Sequence, residues 1–315
     1  MPELPKVCID CSPLLLRSAG VKTYLFHWLR SLRALEPGSI RTFLAPDRSD
    51  QINHDGGLRM NPLEIMALVA LNRLPRLLSD IAAPRCDVFH VSNQLRNHPR
   101  KPAISATLHD LTPWIVPECH TPTMIQADQA YAERVLVRAA GIIAVSNNTR
   151  DDAIRILRLP PERIHVIYPG IPEQYFSVSP LSVEQAVLAY RLPPRYFLFV
   201  STIEPRKNLD TLLTAWEALP ATFREENTLL VVGMPGWRSE RIMERLRRVA
   251  RANTGVRYIG YAPEVYLPGL TAGAQALVYP SLYEGFGFPV AQAMAAGCPV
   301  TVSYTHLTLP TNREV

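Results

Sequence analysis

Short apolar runs alternate along the chain with longer segments in which apolar residues recur every three or four positions. The short runs are typical of buried strands, and the longer segments are typical of amphipathic helices. The runs lie at 6–11, 87–91, 103–108, 141–145 and 164–167, and again at 196–200, 228–232, 256–259, 276–279 and 299–302. Strands that alternate with helices form parallel sheets, so the pattern predicts an α/β fold with two doubly wound domains.

The two series of strands are separated by a less regular segment, 173–194, which contains Pro180, Pro193 and Pro194. We place the domain junction there, with an N-terminal Rossmann-like domain over 1–180 and a C-terminal one over 190–302. A length of 315 residues fits two domains, and an apolar fraction of 47% is ample for two cores.

One apolar segment, 63–81, is interrupted near Pro75 and carries Arg73 and Arg76. A packed helix that breaks at the proline is one interpretation. A helix that faces a membrane or an acceptor is the other. We favour the packed helix, because the pattern has no clean polar face.

Charge and cysteine content give information on partners and on the cellular compartment. A net charge of +5 is compatible with a polyanionic substrate and equally with an acidic membrane surface. Cys8 and Cys11 lie in an apolar run without a second pair at zinc spacing, so we interpret them as core thiols in a reducing compartment. The chain opens without a signal peptide and has no apolar run of about 18 residues. We expect a cytoplasmic protein for which peripheral membrane contact stays open.

The loop 281–289 joins a predicted strand to a predicted helix. Gly285 and Gly287 allow the backbone to approach a ligand, and Pro289 suits the first turn of a helix whose N-terminus favours an anion. Glu284 lies in the same loop. Gln292 lies off the apolar stripe of that helix, which comprises Val290, Ala293, Met294 and Gly297. Glycines with a purely structural role would explain the spacing equally well.

A basic pair, Arg206 and Lys207, follows the strand 196–200, and Asn208 can cap the helix that comes next. The carboxyl end of a parallel strand and the N-terminus of a helix both favour a phosphate. A planar guanidinium and a mobile ammonium suit the spread charge of a diphosphate. The alternative is a pair of solvent-exposed cations without a role.

Two further candidates lie in the first half of the chain. Gly20 precedes a helical pattern, where the backbone could approach a sugar or a phosphate. His109 follows the strand 103–108, and ligands of open parallel sheets bind beyond the carboxyl ends of the strands. Taken alone, a helix-start glycine and a histidine in a turn are both ordinary features.

Three stretches together resemble the signature of retaining glycosyltransferases of family four, also called glycosyl transferases group 1, which have the GT-B fold. They are 283–289 with 293–295 and 297–300, the Pro-Arg-Lys-Asn run at 205–208, and the His-Asp pair at 109–110. The resemblance implies two Rossmann-like domains that face each other across a cleft. The signature carries two glutamates eight positions apart, whereas this chain has Glu284 and Gln292.

The resemblance also implies roles for individual residues. The implied catalytic residues are Glu284, His109, Arg206 and Lys207. The implied donor-binding residues are Gly20, Ser201, Arg206, Lys207, Gly285, Phe286, Gly287 and Gln292. Within this reading Glu284 contacts the transferred sugar, and position 292 holds the ribose hydroxyls. No cofactor and no metal are implied, because the nucleoside diphosphate sugar is itself the substrate and the chain lacks Asp-x-Asp.

The expected function is transfer of a hexose from a nucleoside diphosphate sugar to a glycan or lipid-linked acceptor, with retention of configuration and without a nucleic-acid partner. A GT-B-fold sugar-nucleotide epimerase or hydrolase would release free sugar without an acceptor. A non-catalytic nucleotide-sugar binder would bind without turnover. A dehydrogenase is disfavoured, because no G-x-G-x-x-G follows the first strand.

The last residues, 303–315, do not continue the pattern. A member of the family would go on with another helix, a strand and helices that return to the first domain. We therefore expect this tail to be an artefact of translated adapter sequence, with the natural C-terminus missing.

Overall fold

The computed structural model describes residues 4–15, 19–36, 38–44, 62–252 and 254–303. The chain divides into two compact units. Unit 1 comprises Met1–Trp114 and Pro122–Gly170, and unit 2 comprises Ile115–Thr121 and Ile171–Val315. The short segment 115–121 thus belongs with unit 2, although the elements on both sides of it belong to unit 1.

Unit 1 is built on a six-stranded parallel sheet in the order β2-β1-β3-β4-β5-β6. The strands are β1 (Val7–Asp10), β2 (Ile40–Phe43), β3 (Val88–Val91), β4 (Ala103–Leu108), β5 (Gly141–Ala144) and β6 (Ile164–Val166). Five of them lie where the apolar runs predicted strands. The exception is β2, whose sequence IRTF alternates in polarity and is too short to stand out.

Among the described residues of the first half, six α-helices accompany this sheet: α1 (Ala19–Leu35), α2 (Pro62–Arg73), α3 (Leu77–Ala82), α4 (Thr112–Ile115), α5 (Pro122–Arg134) and α6 (Asn147–Leu157). Ser146 caps α6, since its side chain accepts a hydrogen bond from the backbone N–H of Thr149 at 3.1 Å. The predicted break near Pro75 is confirmed, because α2 ends before it and α3 begins after it.

Unit 2 has a five-stranded parallel sheet in the order β11-β10-β7-β8-β9. Its strands are β7 (Tyr196–Val200), β8 (Thr228–Val232), β9 (Val256–Gly260), β10 (Ala276–Tyr279) and β11 (Val300–Val302). Its helices are α7 (Pro180–Tyr190), α8 (Leu209–Glu217), α9 (Ala221–Glu226), α10 (Glu240–Arg251), α11 (Leu267–Ala272) and α12 (Phe288–Ala295). All five predicted strands of the second half are confirmed.

The predicted irregular segment 173–194 is wrong in its centre, which forms α7. Pro180 lies in the first turn of that helix, where proline is tolerated because its missing N–H would have no intrahelical partner. The Ser179 side chain caps the helix by accepting a hydrogen bond from the Ser182 N–H at 3.1 Å. The proline that suggested irregularity therefore begins a helix.

Both faces of the unit 2 sheet are buried, which explains why its strands are apolar throughout rather than alternating. In β8, Leu229 and Val231 pack into the cluster that contains α8 and α10. Leu230 and Val232 point the other way and join the cluster that contains α7, α11 and α12.

The buried cysteines bear out their assignment to the core. Cys8 and Cys11 are fully buried and not disulfide-bonded. Burial raises the pKa of the Cys8 thiol to about 12, so this thiol is protonated and unreactive at neutral pH. None of the helices in the described segments is both long enough and apolar enough to span a membrane.

A buried histidine, His90 in β3, links the stability of unit 1 to pH. Its Nδ1 lies 3.0 Å from Ser105 Oγ and its Nε2 lies 2.9 Å from Thr107 Oγ1. Burial, with a smaller effect of His109, lowers the pKa of His90 to about 3. The unfolded chain binds this proton below about pH 6.5, whereas the folded chain does not. The stability that neutral His90 provides is therefore complete above pH 6.5 and is lost as the pH falls towards 3.

We expect His90→Gln to flatten this dependence, because an amide keeps polar contacts with the two hydroxyls but does not titrate. Between pH 7.5 and pH 5 the wild-type free energy of unfolding should fall by about 2 kcal/mol more than that of the variant. Urea unfolding at the two pH values measures the difference. The exposed His165, changed to Gln, is the matched control and should behave as wild type. Equal pH dependence in His90→Gln and wild type would contradict the assignment.

Candidate active site

The candidate site of unit 2 lies where two neighbouring strands end. Strands β7 and β10 pair in parallel, with Phe197 opposite Ala276, so the loops that follow them leave the same edge of the sheet. The first loop, 201–208, carries Arg206 and Lys207. The second, 281–287, carries Glu284. This edge is where ligands of open α/β sheets bind.

A lysine and a glutamate from these two loops meet directly. Lys207 Nζ lies 2.6 Å from Glu284 Oε1 and donates a hydrogen bond to the Tyr279 hydroxyl at 2.9 Å. The Ser281 hydroxyl donates to the same glutamate oxygen at 2.6 Å. The ammonium also lies over the Tyr279 ring, 5.4 Å from its centroid. These contacts fix both charged groups in one geometry.

Arg206 completes the cluster from the other side. One guanidinium nitrogen lies 2.9 Å from Glu284 Oε2 and donates to the Tyr283 carbonyl at 2.8 Å. The other terminal nitrogen donates to Glu204 Oε1 at 2.8 Å. Two cations and two carboxylates thus form a hydrogen-bonded network that joins the two loops.

The network is shielded from solvent, which excludes the alternative of two exposed cations. Arg206 and Lys207 are each 8% exposed, and Glu284 is 7% exposed. Burial alone would raise the pKa of Glu284, but Arg206 and Lys207 outweigh it and hold the pKa at about 2. Glu284 is therefore ionised at neutral pH, and its charge is held between two cations.

The expected cap on the following helix is wrong. Asn208 has φ 56°, in the left-handed region, and its side chain does not cap α8. Its Oδ1 instead accepts a hydrogen bond from the Thr211 hydroxyl at 2.6 Å. The left-handed turn at Asn208, a conformation that asparagine tolerates, ends the short turn 205–207 that holds the basic pair.

The glycine-rich loop has the expected turn at Gly287, whose φ of 85° lies in the left-handed region just before α12. Gly285 is buried, and so is Phe286, whose ring packs 5.2 Å from that of Phe288. After the helix, Gly297 is left-handed with φ 71°. Pro289 lies in the first turn, also as predicted.

The predicted stripe on α12 is wrong in two residues, since Gly297 is exposed and lies beyond the end of the helix. Val290 and Ala293 are buried, but Met294 is 46% exposed. Gln292 is half-buried. At the end of β7, the Ser201 hydroxyl lies 3.5 Å from that of Tyr279, which places it beside the network.

Sequence reasoning missed several members of this site. Glu204 and Ser281 lie in the stretches already singled out, yet only the structure shows that they hold Arg206 and Glu284. Gly233 follows β8 with φ 146°, and a Cβ at this position would lie 1.7 Å from the Ser201 carbonyl oxygen. The sequence could have indicated this residue, because Gly233 directly follows β8. The loops after neighbouring parallel strands leave the sheet at the same edge.

The segment 115–121 adds a feature that nothing in the sequence pattern suggested. It is held in unit 2 by the loop after β8. The Trp237 indole donates to the Cys119 carbonyl at 3.0 Å, and Arg238 donates to the His120 carbonyl at 3.0 Å. The His120 and Trp237 rings stack with their centroids 5.9 Å apart.

The remaining two candidates lie in unit 1. His109 follows β4, and the Tyr24 ring meets it edge-on at 5.0 Å. Burial lowers the pKa of His109 to about 4, so the imidazole is neutral at pH 7. Its Nε2 has no hydrogen-bond partner within the described residues. Gly20 lies in the first turn of α1, and a Cβ there would meet nothing within 4 Å.

Across the part of the chain that the structure describes, no three or more His, Cys, Asp or Glu side chains are grouped so that they could hold a metal ion.

Two family profiles match the chain. Glycosyltransferase Family 4 matches residues 18–175, about half of the chain, and Glycosyl transferases group 1 matches residues 184–310. The second match covers the whole candidate site of unit 2. It also runs to residue 310, into the tail that the sequence analysis set apart, most of which lies outside the described residues.

Curated relatives include the O-antigen chain mannosyltransferase B of Escherichia coli, 33% identical over 69% of this chain and 56% of that protein. The serotype-specific mannosyltransferase WbdA of the same species is 28% identical over 51% of this chain and 20% of that protein. This chain therefore spans little more than half the length of the first relative, and a fifth of the second.

Solved structures agree with the fold. WaaG, a glycosyltransferase involved in lipopolysaccharide biosynthesis, aligns with TM-score 0.64 at 19% identity, over 94% of this chain and 80% of that one. Anabaena Alr3699/HepE, in complex with UDP and glucose, aligns with TM-score 0.62 at 16% identity, over 95% and 80%. Two parallel-sheet α/β units with these neighbours constitute a GT-B architecture. Taken with the profile matches, this means that the chain belongs to glycosyltransferase family 4, within the glycosyl transferases of group 1.

Proposed function

We propose that the protein moves a hexose, with mannose as the first candidate, from a nucleoside diphosphate sugar to a glycan or lipid-linked acceptor with retention of anomeric configuration. The observation that carries this proposal is the buried network of Arg206, Lys207 and Glu284 at the edge where β7 and β10 end. The mannosyl group is suggested by relatives named as mannosyltransferases.

The basic pair would stabilise the leaving group. Glycosyl transfer from a nucleoside diphosphate sugar develops negative charge on the departing diphosphate, and fixed cations in a dry site stabilise such charge strongly. Arg206 and Lys207 are held in place by carboxylates before any donor arrives. A bound diphosphate would share them with Glu204 and Glu284, so little reorganisation is needed when the bond breaks.

Glu284 would act on the sugar. Its carboxylate is ionised, as its low pKa requires, and negative charge stabilises the positive charge that develops on a sugar ring as the leaving group departs. In this scheme the proton of the acceptor hydroxyl passes to the departing phosphate. His109, neutral at pH 7 and with an available Nε2, would hydrogen-bond a sugar hydroxyl.

A screen of nucleotide sugars by thermal shift tests the proposal. UDP-, GDP- and ADP-sugars are each added in excess to the chain as it stands, with inorganic phosphate as the control for simple anion binding. One base should raise the melting temperature by several degrees, because a ligand that binds only the folded state stabilises it. If no nucleotide sugar shifts the melting temperature beyond inorganic phosphate, the proposed function fails.

Gln292→Glu should tighten donor binding several-fold, with similar turnover at saturation. A carboxylate accepts from two neighbouring ribose hydroxyls and forms hydrogen bonds about twice as strong as those of a neutral amide. The gain, about 1 kcal/mol, acts on ground state and transition state alike. Calorimetric titration and saturating kinetics measure the two quantities. Unchanged affinity would contradict the proposal that the side chain at position 292 binds the ribose hydroxyls.

Transfer activity should survive excess chelator. The chain lacks the Asp-x-Asp with which metal-dependent GT-A enzymes hold a cation, and Arg206 and Lys207 supply positive charge in its place. The measurement compares initial rates in excess EDTA with rates in added magnesium or manganese. Strict restoration by either metal would contradict the proposal.

A further inference from the structure

The helices α2 and α3 of unit 1 carry large apolar side chains on their outer surface. The expected packed helix with a break near Pro75 is confirmed for one side of α2, through Leu68 and Leu71, but the opposite side is exposed. The exposed fraction is 73% for Leu63, 67% for Met66 and 73% for Ile81, and other large apolar side chains between them in the sequence are also exposed. We call this set the apolar face: Leu63, Met66, Val69, Leu74, Leu77 and Ile81.

The exposure follows from how the helices are seated. Leu68 and Leu71 of α2 and Ser79 of α3 are buried and turned towards unit 1. Leu63, Met66 and Val69 recur every three residues, which places them together on the side opposite to Leu68. Helix α2 therefore has two apolar sides, one packed against unit 1 and one turned outward, which is why the sequence shows no clean polar face. In α3 the buried side chain is Ser79, and Leu77 and Ile81 are exposed.

The helices are held firmly in this position. The Asn97 side-chain amide donates to the carbonyls of Leu71, Asn72 and Leu74, the last carbonyls of α2, at 2.9–3.2 Å. The Ser79 hydroxyl of α3 donates to the Asn97 carbonyl. One residue thus caps α2 and anchors α3, so the apolar face is presented by an ordered scaffold.

Cations border the apolar face. Arg76 lies between Leu74 and Leu77 of the apolar face, and its guanidinium donates a hydrogen bond to the Arg134 carbonyl at 3.4 Å. Burial and the guanidinium groups of Arg138, Arg134 and Arg100 lower the pKa of Arg76. Asp80 forms an ion pair with Arg100 at 2.7 Å, and the positive charge of Lys101 also contributes to the lowered pKa of Asp80. Positive charge therefore exceeds negative charge beside the exposed apolar side chains.

We propose that the apolar face and its arginine border dock on the surface of an anionic lipid bilayer. Leucine, methionine and isoleucine would enter the boundary between headgroups and acyl chains, and the guanidinium groups would contact lipid phosphates. A bilayer fits better than a second copy of the chain, because a symmetric dimer through this face would bring two arginine clusters together.

This inference is independent of the proposed glycosyl transfer, since it concerns a surface of unit 1 and needs no substrate. If the acceptor is lipid-linked, docking would keep the enzyme at the surface where that acceptor is found.

Co-sedimentation with vesicles tests the inference. The full chain is mixed with vesicles of phosphatidylglycerol and phosphatidylcholine, and with vesicles of phosphatidylcholine alone. Binding should be strong to the first, weak to the second, and weakened by salt. Met66→Glu combined with Ile81→Glu should lower the partition coefficient at least tenfold. Arg134→Gln combined with Arg138→Gln should lower it about fivefold for each arginine.

Matched controls lie on the same unit. Leu35→Glu changes a side chain that is 75% exposed outside the apolar face, and Arg30→Gln removes an exposed cation of α1. Both should bind vesicles as wild type does. Equal partitioning of wild type and Met66→Glu with Ile81→Glu would overturn the inference. A dimer in light scattering that the same double variant dissociates would overturn it too, by assigning the face to a second copy.

Discussion

Lys207→Met is expected to lower kcat about 100- to 1,000-fold, the loss typical of removing one group that stabilises transition-state charge. The change should also affect folding, because the lysine is buried against Glu284 at 2.6 Å. Removal of the lysine leaves the buried Glu284 carboxylate with Arg206 as its remaining cation, so the free energy of unfolding should also fall, by about 1–3 kcal/mol.

A second substitution separates catalysis from folding. Lys207→Met combined with Glu284→Gln removes both charges, and the amide can still accept from Ser281. Part of the lost stability should return, since the buried carboxylate is gone and Arg206 keeps Glu204 as its counterion at 2.8 Å. Turnover should stay low, because the leaving group then keeps only Arg206 of its two cations and the sugar loses the Glu284 carboxylate.

A double-mutant cycle compares wild type, Lys207→Met, Glu284→Gln and the double variant. Urea unfolding measures their stability, and kinetics at saturating substrate measure their turnover. The result that would contradict a catalytic role is recovery of turnover together with stability in the double variant. In that case the pair would serve the fold alone.

Gly233→Ala should be the most destabilising single change in the loops around the site. The backbone at this residue has φ 146°, and the added Cβ would lie 1.7 Å from the Ser201 carbonyl oxygen. That oxygen belongs to the backbone, so the loop 201–208 that holds the basic pair would have to move. We expect a loss of more than about 4 kcal/mol, of the size reserved for severe overlap or strain.

Gly297→Ala is the matched control in the same unit. Gly297 also has a positive φ, 71°, but a Cβ there would meet nothing within 4 Å. Its substitution should cost only about 1–2 kcal/mol of left-handed strain. Urea unfolding of the two variants isolates the contribution of the overlap. A similar loss in both would mean that the loops after β7 and β8 can separate without penalty.

The strands and the position of the site could be predicted because they depend on local signals. A strand buried on both faces is apolar throughout, as β7 and β8 show, and ligand loops follow the carboxyl ends of such strands. The basic pair and Glu284 were found for this reason. The strand β2 was missed because four residues of alternating polarity carry too little signal.

The partners of the charged groups could not be predicted. Glu204 and Glu284 hold Arg206 from two loops that lie 80 positions apart in the sequence (residues 204 and 284), and only strand order brings them together. The same holds for Gly233, whose contact with Ser201 depends on the pairing of β7 with β8. The outward apolar side of α2 was misjudged because the pattern cannot tell which of two apolar sides is packed.

Release of nucleoside diphosphate is the most direct test of the proposed hexose transfer. The substrate is the sugar nucleotide that the thermal-shift screen selects. Release is followed with and without glycan acceptors that end in mannose, in excess chelator, for wild type and Lys207→Met with Glu284→Gln. We expect release that requires an acceptor, persists in chelator and is lost in the double variant. The product should be a glycoside with the anomeric configuration of the donor. Release of free sugar without any acceptor, or equal release by the double variant, would contradict it.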